Sequence, residues 1–229
     1  MKTLVLGDIH GHTSWQDIVK KEAADQIIFL GDYVDTFRDV NPNADDYISP
    51  EMQAENLQQI LDLPDDTTVR LIGNHDLHYL NSLFRCSGFS QDKAYAFKDI
   101  YLKAREDNKI KYWHQQDDIT FSHAGFCQSW ITDYEFDFDK SYEDYELENM
   151  FAFNANHGYS PTGNNIGQSP LWIRPQALIS DLPDNLPIQI VGHTPVRKCV
   201  QIDMENIYLA DALGFKSYIT IVDNKINII

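Results

Sequence analysis

Val69-Arg70-Leu71-Ile72-Gly73-Asn74-His75-Asp76 runs from β-favouring residues through one glycine into an amide, an imidazole and a carboxylate. This pattern predicts a buried strand that stops at Gly73, where a backbone without Cβ can turn sharply and present polar side chains at the sheet edge. Four other strand-like runs end in the same way: Leu4-Val5-Leu6 enters Gly7-Asp8-Ile9-His10, Ile27-Ile28-Phe29-Leu30 enters Gly31-Asp32-Tyr33-Val34-Asp35, Ile119-Thr120-Phe121 enters Ser122-His123-Ala124-Gly125, and Ile188-Gln189-Ile190-Val191 enters Gly192-His193-Thr194-Pro195. Apolar strands thus deliver metal-ligating side chains at one end.

Between these runs the pattern is helical. Ser14 is placed to cap a helix carrying Trp15, Ile18, Val19 and Ala23, which gives a βαβ unit with the second strand. Ser49-Pro50-Glu51 starts another, with Pro50 in the first turn and Met52, Leu57, Ile60 and Leu61 as its buried stripe. Beyond Asp76, Leu77, Leu80, Leu83 and Phe84 continue a helix away from the turn, and a further helix covers Ala94 to Arg105. Near the C-terminus Val200-Gln201-Ile202, Ile207-Tyr208-Leu209, Tyr218 to Val222 and Ile226-Asn227-Ile228 are short and close, which reads as an antiparallel meander. A parallel first half and an antiparallel end imply an α/β fold with two mixed β-sheets packed face to face and flanking helices.

The chain of 229 residues with 43% apolar side chains is expected to form one domain, residues 1–229. Its 18 basic and 35 acidic side chains give a formal charge of -17, which repels long duplex nucleic acid and anionic membranes. Bound divalent cations can reverse the sign locally and still admit a phosphate. Cys86, Cys127 and Cys199 have no C-x-x-C spacing, so a reducing, cytoplasmic setting is expected. Met1-Lys2-Thr3 leads directly into the first strand, which leaves no room for a signal peptide's apolar run, and no apolar stretch is long enough to span a bilayer. Asp133 to Glu148 carries eight carboxylates and one lysine, interleaved with aromatic residues, and Asn154 to Gln168 is rich in Asn and Gly. Together 133–168 is either a solvated acidic face followed by an ordered loop, or a lid over the site.

Asp8 and His10 stand two apart and can hold one cation from an extended chain; Asp32 has two oxygens and can bridge to a second; Asn74, His123 and His193 offer an amide oxygen and two imidazoles. Oxygen and nitrogen donors without thiolate suit Mn²⁺, Fe or Zn²⁺ better than Ca²⁺. Two such ions about 3.5 to 4 Å apart clamp a phosphoryl group for in-line attack by a shared hydroxide. Each residue alone could instead be a turn former or cap.

In this order the five motifs resemble those of the calcineurin-like metallophosphoesterases, from residue 4 to about residue 214, and most closely the branch of serine/threonine protein phosphatases and diadenosine-tetraphosphate hydrolases of prokaryotic and phage type. The resemblance implies an αββα sandwich and a dinuclear phosphomonoesterase. Asp8 and His10 would bind the first metal, Asp32 would bridge, and Asn74, His123 and His193 would bind the second, with Mn²⁺ as first choice. His75 would be the general acid, oriented by Asp35. Where protein phosphatases of this branch have Arg-Gly after the second motif, the chain has Thr36-Phe37 and then Arg38. Leu171-Trp172-Ile173-Arg174-Pro175 resembles the Trp-x-Arg segment of the phage-type enzymes, which makes Arg174 the candidate phosphate ligand over Arg38; a surface ion pair is the alternative for Arg174. Asp211 is a candidate for a place behind the ligands. His12, His78, His114 and His157 are expected to face solvent or be satisfied by neighbours. The expected substrate is a phosphorylated small molecule, nucleotide or phosphoprotein. The alternatives are hydrolysis of dinucleoside polyphosphates or cyclic nucleotides, and a non-catalytic metal-binding scaffold.

Overall fold

The computed structural model describes residues 1–36, 43–81, 83–152, 160–202 and 206–229. Strand β1 (Lys2–Leu6), helix α1 (Ser14–Glu22) and strand β2 (Gln26–Phe29) form the expected parallel βαβ unit, and helix α2 (Pro50–Leu61) leads to strand β3 (Thr68–Arg70), parallel to β2. Helices α3 (Asn74–Leu80) and α4 (Gln91–Glu106) follow, then strands β4 (Trp113–Gln116) and β5 (Ile119–Ser122) and the short helices α5 (Gln128–Asp133), α6 (Asp144–Met150) and α7 (Pro175–Ile179). Strands β6 (Ile188–Val191), β7 (Val200–Ile202), β8 (Ile207–Leu209), β9 (Ile219–Val222) and β10 (Lys225–Ile228) complete the chain. Among the described residues these form two five-stranded sheets, in the orders β10-β9-β1-β2-β3 and β4-β5-β6-β8-β7.

Alternation along the strands assigns their faces. Leu4 and Leu6 of β1, with Ile27 and Phe29 of β2, pack under α1, α2 and α4, whereas Val5 and Ile28 point the other way. They meet Ile119 and Phe121 of β5 and Ile190 of β6, so the two sheets share an apolar layer. Each fully buried Ile or Phe there contributes about 1.5–3 kcal/mol, against at most about 1 kcal/mol for an exposed ion pair. The outer face of the second sheet is covered by α5, α6 and α7, which gives the αββα sandwich.

Arg70 is the exception to apolar filling. It is 1% exposed and points among the helices, where Nε donates to Ile60 O at 2.8 Å, Nη2 to Leu63 O, and Nη1 to Asp65 Oδ1 at 2.7 Å. A charged side chain in a strand thus closes the C-terminus of α2, where carbonyls lack helical partners.

The structure corrects several local expectations. The four C-terminal strands do not form one meander. β7 and β8 form a hairpin in the second sheet, and β9 and β10 form another in the first, because Ile219 and Ile221 bury against the shared layer only when β9 pairs with β1. The helix after Asp76 stops at Leu80: Asn81 is extended, and its Oδ1 accepts from Leu83 N at 3.1 Å, a side-chain turn that replaces the next helical bond. Thr13, not Ser14, occupies the cap of α1. Pro50 opens α2 as expected, with Ser49 as its cap, but Met52 is exposed; its place on the buried face goes to Gln53 and Asn56, which bond the loops carrying Ile48 and His12.

The acidic stretch divides by residue type. Most of its carboxylates face solvent, but Phe136 is buried, and Phe138 and Tyr142 pack with it against Trp113, Phe126 and Trp130. Glu148 is buried and paired with Arg105. Aromatic side chains at alternate positions therefore build the outer layer of the second sheet rather than a bare acidic face. Of the Asn/Gly-rich stretch, residues 153–159 lie outside the described residues, as does His157.

Candidate active site

The turn after β3 is fixed by Asp76, which was not among the candidates read from the sequence. At the third position of α3 its carboxylate accepts the backbone N–H of Gly73 at 2.7 Å, and it also accepts Asp32 N at 2.7 Å, Tyr33 N at 3.0 Å and the Tyr101 hydroxyl. One buried carboxylate thus ties the third motif to the second. Gly73 and Gly31 meet there. A Cβ on Gly73 would lie 2.1 Å from Asp32 Oδ1 and 2.6 Å from Asp32 N, and Gly31, at φ +106°, would bring one within 2.6 Å of Gly73 N. Gly73→Ala is therefore expected to destabilise the fold by about 1–3 kcal/mol through overpacking and to displace the Asp32 carboxylate. Urea unfolding and metal titration of the variant measure both.

Around this junction the structure gathers Asp8, His10, Asp32, Asn74, His75, His123 and His193. Asp32 Oδ2 lies 3.7 Å from His10 Nε2 and 3.4 Å from His123 Nε2, and Oδ1 accepts from His75 N at 2.9 Å. His10 Nε2 is 3.9 Å from Asp8 Oδ2, and Asp8 accepts His193 N at 3.0 Å. Asn74 Oδ1 is 2.9 Å from His123 Nε2. The donor atoms of Asp32, His123 and His193 lie within 4.8 Å of one another, as do those of His10, Asp32 and His75. Positive φ at His10, Asp32 and His193 holds three of these residues in the left-handed region, as it does the nearby Asp35, a local strain that functional sites tend to store.

Three observations fit this set to divalent cations. The Nδ1 atoms of His10 and His123 lie 2.8 Å from the carbonyls of Val34 and Leu30, which leaves Nε2 of each ring aimed at Asp32. Among the described residues His193 Nε2 is buried without a hydrogen-bond partner, and burial, then the charges of His123 and Arg174, hold that ring well below the usual imidazole range, in its neutral ligating form. Asp8 is pushed well above the usual carboxylate range by burial and then by Asp211, the crowding of anions that a cation would relieve. For Asp32 burial acts in the same direction, but the His123 and His75 rings outweigh it and hold the carboxyl well below its usual range.

His75 Nδ1 lies 3.0 Å from Asp35 Oδ2. Burial opposes charge on His75, yet Asp32 and Asp35 outweigh it and raise the ring well above its ordinary value. Sequence reasoning missed the company Asp35 keeps: Tyr79 Oη donates to Oδ1 at 2.7 Å, Lys93 Nζ lies 3.2 Å from Oδ1, and His78 Nε2 is 2.8 Å from Oδ2 without hydrogen-bond alignment. The signal was present in the sequence, since His75, His78 and Tyr79 stand at i, i+3 and i+4 on one helix. Cys86 completes this group, with Sγ 3.1 Å from His78 Nδ1 and accepting from Asn74 Nδ2 at 3.3 Å. Burial raises its thiol, but the His75 and His78 rings outweigh that and lower it to about 7.

Arg174, half-buried at the start of α7, donates from Nη1 to His193 O at 2.8 Å and Thr194 Oγ1 at 3.2 Å, so it sits beside the candidate ligands and, among the described residues, in no surface ion pair. Arg38 lies outside the described residues. A cleft of about 340 Å³ opens over Asp8 and His10 and is lined further by His12, Thr36, Asp211 and the exposed Phe215. Among the described residues no helix is long and apolar enough to cross a membrane.

Solved structures share the architecture. The chain is similar to the cold-active protein-tyrosine phosphatase of a psychrophilic Shewanella species (17% identity over 99% of this chain and 77% of that one, TM-score 0.67). It is also similar to a metallophosphoesterase from Sphaerobacter thermophilus (16%, 100% and 87%, TM-score 0.55) and to a serine/threonine phosphatase from Saccharomyces cerevisiae (15%, 100% and 79%, TM-score 0.57). At these identities the likeness speaks to the fold alone. No curated protein sequence matches the chain. The family model described as calcineurin-like phosphoesterase matches residues 1–220, and with that match and this clustered donor set the chain belongs to the calcineurin-like phosphoesterases, metal-binding hydrolases of phosphate esters.

Proposed function

We propose that the chain is a dinuclear metal-dependent phosphomonoesterase of the protein-phosphatase-like kind, acting as one domain over residues 1–229 in a reducing, cytoplasmic compartment. The observation that carries this reading is the position of Asp32: one carboxylate oxygen faces His10 on one side and His123 on the other, as a bridge between two cations requires. Asp8, His10 and Asp32 would hold the first ion and Asp32, Asn74, His123 and His193 the second. Two divalent cations, Mn²⁺ before Fe or Zn²⁺, would supply charge neutralisation for the phosphoryl group and an activated water at neutral pH.

The remaining steps belong to the chain's own residues. His75 keeps Nδ1 on Asp35, which leaves Nε2 to carry a proton to the departing oxygen; the raised imidazole stays protonated near neutrality. Arg174 offers its guanidinium to the phosphate oxygens while Nη1 is anchored on His193 O. Arg174→Ala is expected to raise KM about tenfold or more with a smaller change in kcat, and steady-state kinetics on a phosphomonoester measure the split.

A nucleotide substrate, either a dinucleoside polyphosphate or a cyclic nucleotide, is the second reading. It is favoured by Thr36 where protein phosphatases of this branch carry arginine, and by Phe215, 65% exposed on the cleft wall, where a base can stack. Metal analysis together with turnover of a phosphopeptide, a diadenosine polyphosphate and a cyclic nucleotide decides between them. Turnover of the dinucleotide alone overturns the first reading.

A further inference from the structure

We propose that His75, His78 and Cys86 form a separate, thiolate-containing site for Zn²⁺, and that zinc bound there switches hydrolysis off by engaging His75. The three donor atoms lie within 4.8 Å of one another, and His78 Nδ1 and Cys86 Sγ are already 3.1 Å apart, close to one edge of a tetrahedral site. The Cys86 thiolate is a soft donor that the mixed oxygen and nitrogen cluster around Asp32 lacks, so zinc is preferred here over manganese. Asp35 lies behind both rings: it is hydrogen-bonded to His75 Nδ1 at 3.0 Å, as the outer carboxylate that orients a ligating histidine is, and lies 2.8 Å from His78 Nε2 without hydrogen-bond alignment. Cys86 is only half-buried, which gives the ion a way in, and its proton leaves to solvent on binding. The sequence does not suggest the site, because Cys86 lies beyond the end of α3 and is folded back onto it.

The switching half of the proposal rests on the role given to His75 under Proposed function; the binding half does not. Full-length chain loaded with Mn²⁺ is titrated with Zn²⁺ and, separately, with Co²⁺, alongside Cys86→Ser. Wild type should bind one more zinc per chain than the variant, whatever number the other site holds. With Co²⁺ it should show a near-ultraviolet thiolate charge-transfer band that the variant lacks, since Cys127 and Cys199 are buried with their Sγ atoms on backbone carbonyls. Cys86→Ala, with circular dichroism matching wild type, guards against a serine that still ligates. Equal zinc content and no sulfur band overturn the site. Zinc held at Cys86 with undiminished turnover overturns the switch. Zinc that slows alkyl phosphates at least tenfold more than p-nitrophenyl phosphate, in wild type only, supports it; uniform slowing overturns the acid role of His75 and leaves the metal site standing.

Discussion

Asp32→Asn is expected to weaken metal binding in both halves of the candidate metal centre while leaving the fold in place. The substitution keeps the shape of the side chain and an oxygen that can still accept from His75 N, now 2.9 Å away. Asp32 sits at φ +51°, a conformation that asparagine tolerates as well as aspartate, so no backbone penalty accompanies the change. What is lost is one negative charge and the oxygen that lies between His10 Nε2 and His123 Nε2. Losing an outer partner of a metal ligand costs roughly 10- to 100-fold in affinity or activity, and a ligand shared by two ions should cost more than that at each. Elemental analysis and metal titration of the variant are expected to show weaker binding at both positions, with a thermal transition of apo-protein close to wild type. Unchanged stoichiometry and affinity would refute the bridge.

The sequence carried the fold class and the convergence of the motifs because both depend on short-range patterns. Alternating Leu4-Val5-Leu6 and Ile27-Ile28-Phe29 give the two faces of the first sheet, and each run releases its polar residues where the strand ends. Pairing between distant strands has no such local signal. Val200-Gln201-Ile202 and Tyr218-Ile219-Thr220-Ile221-Val222 look alike in sequence, yet they enter different sheets because of what Ile219 and Ile221 bury against.

Within the candidate site, the residues read from motifs came together, whereas those that tune them stayed hidden. Asp76 is one position beyond His75 and reads as an ordinary helix-start acid; only the tertiary fold brings Asp32 N and Tyr33 N onto it. Lys93 and Tyr79 reach Asp35 across 58 and 44 residues of chain. His78 lies outside the five motifs, so no motif singles it out from the other histidines expected to face solvent or be satisfied by neighbours. Buried contacts of this kind depend on which side chains lie under a turn, and neither periodicity nor spacing encodes that.

His75→Asn is expected to keep both metal positions and to fail selectively at protonating the leaving group. Asparagine in the first turn of α3 preserves the backbone N–H that holds Asp32 Oδ1. Asp35 loses one partner but retains Tyr79, Lys93 and His78, so no buried charge is stranded. The loss should therefore fall on chemistry. A positioned general acid is worth about 10²- to 10⁴-fold, and that advantage matters most when the departing oxygen is a poor leaving group that cannot carry negative charge unaided. For alkyl or seryl phosphates kcat should fall across that range, while p-nitrophenyl phosphate, whose leaving oxygen needs little help, should slow far less. A plot of log kcat against leaving-group pKa should steepen in the variant, and its alkaline limb should lose the ionisation assigned to the imidazolium. Equal slowing of good and poor leaving groups, with metal content unchanged, would give the proton to some other donor and leave His75 as a positioning residue for Asp32.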